Sequence, residues 1–357
     1  MNVIIFYFLV WRFNCLAKIA TRPTRLRLAL YIHFAQFYTK TSSTMRRGAK
    51  GASNSEVHMN RILYFVALLI PLRAMAGTGV PEMKGENGYV EPFRMFDNVY
   101  YVGDKWVSSY AVETSSGLVI IDTLDFPYSM WIPDNLKKLD LDDKKVTHIF
   151  VTHGHSDHVG GAEFLQSLYG SKVVMSEKAL ELAKEQALKS QGKSKFFPPV
   201  VESFAEDSSN IVVGDTEFKF YITPGHTEGD LSIDFFVKDN VQLYRAFVVG
   251  GHGTNFQKPA LAKQFMASMA RIKRVAMEDP VVTVNLSNHP HKNNLFSNQE
   301  LSANDITTNP FISKENFFRF IEQQEVLATE EIKNEHEPSG STNANKSNQP
   351  TANGSAD

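Results

Sequence analysis

Residues 146–169, VTHIFVTHGHSDHVGGAEFLQSLY, hold the densest chemistry in the chain: His153, His155, Asp157 and His158 fall within six positions. Core packing has no use for such a run, and the segment reads as a metal site rather than a solvated histidine-rich loop. His153 and His155 stand two apart, so at the end of an extended strand their rings leave on the same side. Asp157 and His158 follow on a turn that can aim them at a second, adjacent metal. Neutral imidazole joined by one carboxylate is ordinary zinc chemistry, with Zn–N distances of about 2.0–2.1 Å.

A ligand cluster needs a rigid mount, and the flanks supply one. Residues 146–151 (VTHIFV) are β-branched and apolar, the pattern of a buried strand. Residues 159–169 (VGGAEFLQSLY) put Ala162, Leu165 and Tyr169 on one helical face, widened by Phe164 and Leu168. The ligands therefore sit where a strand ends and a helix begins. Gly160 and Gly161, in the first turn, are expected to let the backbone approach the metal closely.

Two more histidine turns follow strand-like runs. Residues 217–222 (EFKFYI) alternate and lead into a Pro224-Gly225 turn that presents His226. Residues 281–286 (VVTVNL) lead into Ser287-Asn288-His289-Pro290-His291. Each of these histidines alone is as ordinary as a surface residue. At the ends of successive strands, with the first cluster, they complete two sites. His291 is the one realistic substitute for His289, and His148, inside a strand, is read as structural.

The chain has 357 residues, 43% of them hydrophobic, enough for one large domain plus terminal extras. Met59-Asn60-Arg61 is a short basic start, residues 62–72 are apolar, and Ala74-Met75-Ala76 is an A-x-A cleavage site. That pattern fits a signal peptide over 59–76 and is too short for a membrane span. Residues 1–58 then read as an upstream extension outside the mature protein. A basic, apolar-rich leader is the competing reading, and Arg12 interrupts its apolar run too early for an anchor. The expected order continues with a linker over 77–91, a folded domain over 92–327, and a disordered tail over 328–357, where from about Thr329 large apolar side chains all but vanish. The expected destination is the periplasm or the exterior, with no stable membrane insertion after cleavage.

Without residues 1–76 the chain keeps 26 Lys+Arg against 38 Asp+Glu, a formal net charge of about −12. Nucleic acid is therefore a poor partner, and a small-molecule substrate is expected. The sole cysteine, Cys15, lies in the removed part, so the mature chain has neither a disulfide nor a cysteine ligand.

These residues resemble the metallo-β-lactamase superfamily. HGHSDH (153–158) matches its HxHxDH motif, PGHTEGD (224–230) its second histidine turn, and His289 its last ligand; the likeness runs from about residue 92 to residue 320. The resemblance implies a four-layer αββα sandwich with the site at one edge. It implies two zincs, one on His153, His155 and His226, the other on Asp157, His158 and His289. Many members that cleave thioesters, lactones or phosphodiesters carry a bridging aspartate between the second and last histidine turns. Here the strand over 243–249 ends in Gly250-Gly251-His252-Gly253 instead. The third subclass of class B β-lactamases uses five histidines and one aspartate without a bridge or a cysteine, and the chain is most similar to it. Residues 91–103 also look like that subclass's opening strand. One departure is that Gly251 and His252 stand where the subclass usually has a serine that orders water.

The implied chemistry is hydrolysis, foremost of the amide in a β-lactam ring. Two zincs about 3.5–4 Å apart would share a water and lower its pKa toward about 7, so hydroxide forms at neutral pH. Asp157 would orient that hydroxide, and His252 would donate a proton to the leaving nitrogen. Asp122, ending the strand 118–122 (LVIID), is the expected acceptor for the far nitrogen of a ligand histidine. Trp106, Phe126 and Tyr128 are expected to line the substrate site, whereas Trp131 is read as packing. The alternatives are hydrolysis of a lactone, ester or sulfate ester, or a zinc-binding module without turnover. A structural zinc needs only four closed ligands, so six matched positions argue against the last.

Overall fold

Alternation along residues 110–121 explains how one sheet serves two cores. In a computed structural model, which describes residues 79–253, 259–303 and 308–336, the strands β1 (Phe93–Phe96), β2 (Val99–Tyr101), β3 (Tyr110–Thr114) and β4 (Gly117–Ile121) pair antiparallel in sequence order. Tyr110, Val112, Val119 and Ile121 join one buried cluster, while Ala111, Leu118 and Ile120 join another. The side-chain period of two sends neighbours to opposite faces, and burial on both faces makes the run look uniformly apolar. The proposed extension, signal peptide and Cys15 lie outside the described residues, as does the chain beyond His336. Contacts divide the chain into two units, Met1–Gly79 and Val80–Asp357, and every described strand and helix belongs to the second.

After α1 (Ile132–Lys138), β5 (Val146–Phe150) adds parallel to β4; β6 (Lys172–Val174) follows parallel to β5 and completes a six-stranded sheet. Between them lie α2 (Ser156–Val159) and α3 (Ala162–Tyr169), and α4 (Glu177–Lys189) follows, its first turn capped by the Ser176 hydroxyl, which accepts from the Ala179 amide. The second sheet runs β7 (Asn210–Val213), β8 (Thr216–Ile222), β9 (Leu231–Asp239) and β10 (Gln242–Val248), all antiparallel. α5 (Pro259–Ala276) then crosses to β11 (Val282–Asn285), parallel to β10, and α6 (Leu295–Ser302) and α7 (Lys314–His336) complete the described elements.

Three clusters define the layers. Between the sheets lie Phe96, Val112, Ile121 and Phe150 against Phe218, Phe220, Ile233 and Val248. On the first sheet's outer face, Ile120, Ile149 and Val151 meet Leu136, Leu165 and Ala179 of the helices. On the second sheet's outer face, Phe247, Val249 and Val282 meet Phe265 and Met269 of α5 and Phe317 and Ile321 of α7. The result is the expected four-layer αββα sandwich. Phe150 links the sheets, its ring 5.1 Å from that of Phe218 and 5.2 Å from that of Phe220, edge to face. Such pairs add about 0.5–1.5 kcal/mol each beyond their buried area. They tie together the two strands whose ends carry His153 and His226.

The structure departs from the sequence expectations in four places. The stretch 91–103 is not one strand but two, turning at Asp97 and Asn98. The helix expected over 159–169 breaks at Gly160-Gly161. A Cβ on Gly160 would meet Ser156 O at 2.4 Å and the Phe126 amide at 2.9 Å, and one on Gly161 would meet Thr123 O at 2.5 Å. The glycines thus admit the loop that follows β4, rather than bringing backbone to a metal. Part of the expected linker packs on the domain, since Pro81 O accepts from Trp131 Nε1 at 2.8 Å and Tyr89 is buried with its ring 5.4 Å from that of Trp131. Finally, the tail expected from Thr329 is helical as far as His336, because α7 continues past its buried residues Phe317, Ile321, Gln324 and Ala328.

Candidate metal centre

Strand ends of both sheets meet at one edge. β5 delivers His153, α2 presents Asp157 and His158, β8 runs into the His226 turn, and β11 into His289. Each strand buries at least one face, so the loop after it inherits a fixed direction.

The donor atoms of His153, His155 and His226 all lie within 4.8 Å of one another, and so do those of Asp157, His158 and His289. The rings of the first triad are mutually 4.9 Å apart and close to perpendicular. In the second, His158 Nε2 is 3.3 Å from His289 Nε2 and 3.2 Å from Asp157 Oδ2. The first three histidines and the last three residues are thus brought together as the sequence expected, with His158 bridging to His153 at a ring separation of 4.1 Å. A metal fits here on the evidence of the donors. His153 Nε2 is fully buried without a hydrogen-bond partner, and His155 Nδ1 and His226 Nε2 face each other at 3.1 Å. Buried polar atoms left unpaired cost about 1–3 kcal/mol each, a penalty that a shared cation removes.

The far nitrogens are held by the surroundings. His158 Nδ1 bonds Asp122 Oδ2 at 2.8 Å, His153 Nδ1 bonds Gly250 O at 3.0 Å, and His289 Nδ1 bonds Trp106 O at 2.8 Å. Asp122 also accepts from Thr152 N and Thr152 Oγ1, both at 2.8 Å, so it locks the residue before His153 as well. Asn288 Nδ2 donates to the same Gly250 carbonyl at 3.2 Å. Such outer contacts choose the tautomer and leave Nε2 free to face a metal.

Charge follows burial. Desolvation pushes His153 well below the ordinary imidazole range, His226 down to about 3 and His289 down to about 4, each helped by the neighbouring histidines. These rings are neutral, the form that ligates. For His158 burial pulls the same way, but Asp157 and Asp122 on either side win and lift it to about 10. Asp157 is the complement: burial would raise it, yet His158, His289 and His155 hold it well below the usual carboxylate range.

A cavity of about 460 Å³ opens on this edge, lined by Asp104, Trp106, Tyr128, Asp157, His289 and His291 among others. Trp106 and Tyr128 stand where the sequence placed them. The Trp106 ring lies over Gly88, whose positive φ of 82° and missing Cβ leave it room, a Cβ there falling 1.9 Å from the ring. Phe126 is a correction: it does not line the cavity but packs into the helical layer, its ring 6.4 Å from that of Phe164. His252 is another. It is buried away from the cavity, and desolvation holds it far below an ordinary imidazole, so it has no proton to lend a leaving group. Trp131 is core, and His148 packs beside Phe150, as expected.

Asp104, Asp125 and Ser156 also line the cavity, and sequence reasoning missed them. The carbonyls of Trp106 and Gly250 were invisible in the sequence, since a backbone acceptor carries no residue identity. Gly251 shows why no bridging side chain occurs: a Cβ there would lie 2.8 Å from both His226 Cβ and the Asp230 carboxylate.

Residues 103–241 match the family model of the metallo-beta-lactamase superfamily, and the chain carries a domain of that superfamily. Among its relatives is a beta-lactamase-like protein 2 homolog of Caenorhabditis elegans, 22% identical over 46% of this chain and 51% of that protein. Another is a hydroxyacylglutathione hydrolase of Maricaulis maris, 34% identical over 24% of this chain and 27% of that enzyme. The chain thus spans about half the length of the first relative and about a quarter of the second. The solved structure of BJP-1, a subclass B3 metallo-beta-lactamase of Bradyrhizobium japonicum, shares the fold with a TM-score of 0.60 at 24% identity, covering 69% of this chain and 94% of that one.

Proposed function

We propose that this protein is an exported dinuclear zinc hydrolase that opens the amide of β-lactam rings. The observation that carries the reading is the pair of adjacent triads, the second of which lines a cavity through Asp157 and His289, with a buried nitrogen in the first that has no hydrogen-bond partner. The six donors, one carboxylate among imidazoles, suit zinc in both positions. When bound there, zinc supplies Lewis acidity and a nucleophile available at neutral pH.

The chain's own groups do the rest. Asp157, ionised at any working pH, accepts a hydrogen bond from the attacking water and so turns its lone pair toward the substrate carbonyl. Trp106, 49% exposed, and Tyr128 flank the cavity and hold a flat ring between them. Asp122, Gly250 O and Trp106 O keep the imidazoles from turning during the reaction. The proton that the leaving nitrogen needs is the one the attacking water sheds, since His252 is neutral and buried away from the cavity.

One observation favours the neutral members of a second reading, hydrolysis of a lactone, ester or sulfate ester. Among the described residues that line the cavity, Asp104, Asp125 and Asp157 are acidic and none is Lys or Arg, so the carboxylate of a β-lactam meets no cationic side chain there. A neutral ester or lactone avoids that mismatch. A panel of a penicillin, a cephalosporin, a carbapenem, an acyl-homoserine lactone and an aryl sulfate separates the readings. Turnover of the β-lactams above the others is expected, and turnover confined to the lactone or the sulfate would replace the first reading by the second.

Export is proposed from the Met59 start and the Ala74-Met75-Ala76 site. N-terminal sequencing of secreted protein is expected to begin at Gly77. Mature protein that keeps residues 1–58 would refute it.

A further inference from the structure

His252 packs against a candidate ligand from behind. Its ring centroid lies 5.1 Å from that of His289 at 71°, and its other side meets Phe320 of α7 at 5.6 Å and 85°. In the plane of the ring, His252 Nε2 lies 3.2 Å from Ser287 Oγ. The same Oγ accepts the backbone amide of His289 at 3.3 Å, which leaves its own proton for the unprotonated nitrogen of a neutral imidazole.

The rest of the turn is anchored independently. Ser287 O accepts the Tyr110 hydroxyl at 2.6 Å, Asn288 O accepts the Ser108 amide at 3.0 Å, and Gln324 Oε1 on α7 accepts the Gly253 amide at 3.2 Å. The Tyr110 and Ser108 bonds fix the turn's backbone, and the Gln324 bond fixes the loop that carries His252. What they leave open is the rotation of the His289 ring, held at one edge by Trp106 O and from behind by His252.

We propose that His252 is a positioning residue for the second metal: through Ser287 Oγ and by its edge-to-face packing with His289, it sets the direction in which His289 Nε2 points. The role asks for a flat ring with an in-plane nitrogen. Phenylalanine keeps the ring and loses the nitrogen, whereas glutamine keeps a polar atom near the Nε2 position and loses the ring. The inference rests on the metal-binding reading above.

The test uses the full-length protein, stripped of metal and titrated with zinc against a chromophoric chelator. His252→Phe and Ser287→Ala are each expected to weaken zinc at the second site by about 10–100-fold, the usual loss when an outer-shell partner is removed, and to leave zinc at the first site unchanged. Together they should cost little more than either alone, because they cut one linkage. His252→Gln should recover part of the loss. In protein loaded with cobalt, the absorption bands of the second site should shift in His252→Phe while its Tm stays near that of the parent. Parent-like affinity for both metals and a parent-like cobalt spectrum in His252→Phe and Ser287→Ala would overturn the inference. A parallel fall of both affinities with Tm would overturn it too, by showing a general packing role. If the unsubstituted protein takes up fewer than two zincs, the metal reading itself fails and this inference falls with it.

Discussion

His226→Ala is expected to leave one zinc per chain instead of two and to cut kcat/KM by about a hundredfold to ten-thousandfold. The first figure follows from geometry: His226 is one of three donors in its triad, and the two that remain cannot close a site that needs at least three protein ligands. The second follows from the several kcal/mol of transition-state charge stabilisation that a metal supplies, at about 1.4 kcal/mol per factor of ten. Fold should survive, because His226 sits on a turn held by other bonds. Asp230 accepts Thr227 N at 2.9 Å, and Gly225 N donates to Thr227 O at 2.8 Å. Metal analysis at saturating zinc together with steady-state kinetics decides it. Two zincs retained in the variant would sink the assignment of His226. Asp157→Ala should instead weaken the second zinc.

Asp122→Ala should produce the largest combined loss of stability and metal affinity of any residue that touches no metal. Its carboxylate accepts three buried hydrogen bonds, from Thr152 N, Thr152 Oγ1 and His158 Nδ1. Each donor left unpaired costs about 1–3 kcal/mol. Alanine is also strained at the φ of 58° that Asp122 adopts, a conformation asparagine and aspartate tolerate better. Zinc at the second site should bind about 10–100-fold more weakly, because the His158 ring loses the partner that sets its tautomer. Asp122→Asn separates the two effects. Asparagine keeps the backbone bond and the αL conformation, so most of the stability should return. An amide oxygen that keeps the Thr152 N bond puts the NH2 in the place of Oδ2, facing Thr152 Oγ1 and His158 Nδ1, so the zinc affinity should not. Thermal melts and chelator competition on both variants measure this. An Asp122→Ala protein with parent zinc affinity would rule out the orienting role.

Legibility differed by element and for physical reasons. The strand at 146–151 and the histidine turns were readable because local pattern and ligand chemistry coincide there: buried strands must be apolar, and metal ligands must be histidine or carboxylate. Asp122 was legible only as a candidate, since a carboxylate after a strand caps a turn as readily as it holds an imidazole. The split of 159–169 was hidden because helical period says nothing of what packs on a glycine, and here the loop that follows β4 needs the space. The helical residues 329–336 read as tail because they bury little, and they are helical as the end of an α7 whose earlier turns are anchored.

Residue type and spacing gave the candidate metal ligands, the buried strand over 146–151 and the strand ends that bear those ligands. The residues that surround the ligands followed from the tertiary structure. It made the carbonyls of Trp106 and Gly250 imidazole acceptors, moved Phe126 into the helical layer, and set His252 behind His289 instead of in the cavity. Those roles join residues as far apart as Trp106 and His289, and distance along the chain carries no signal of them: they arise when two sheets close on one core and bring separate loops to the same edge.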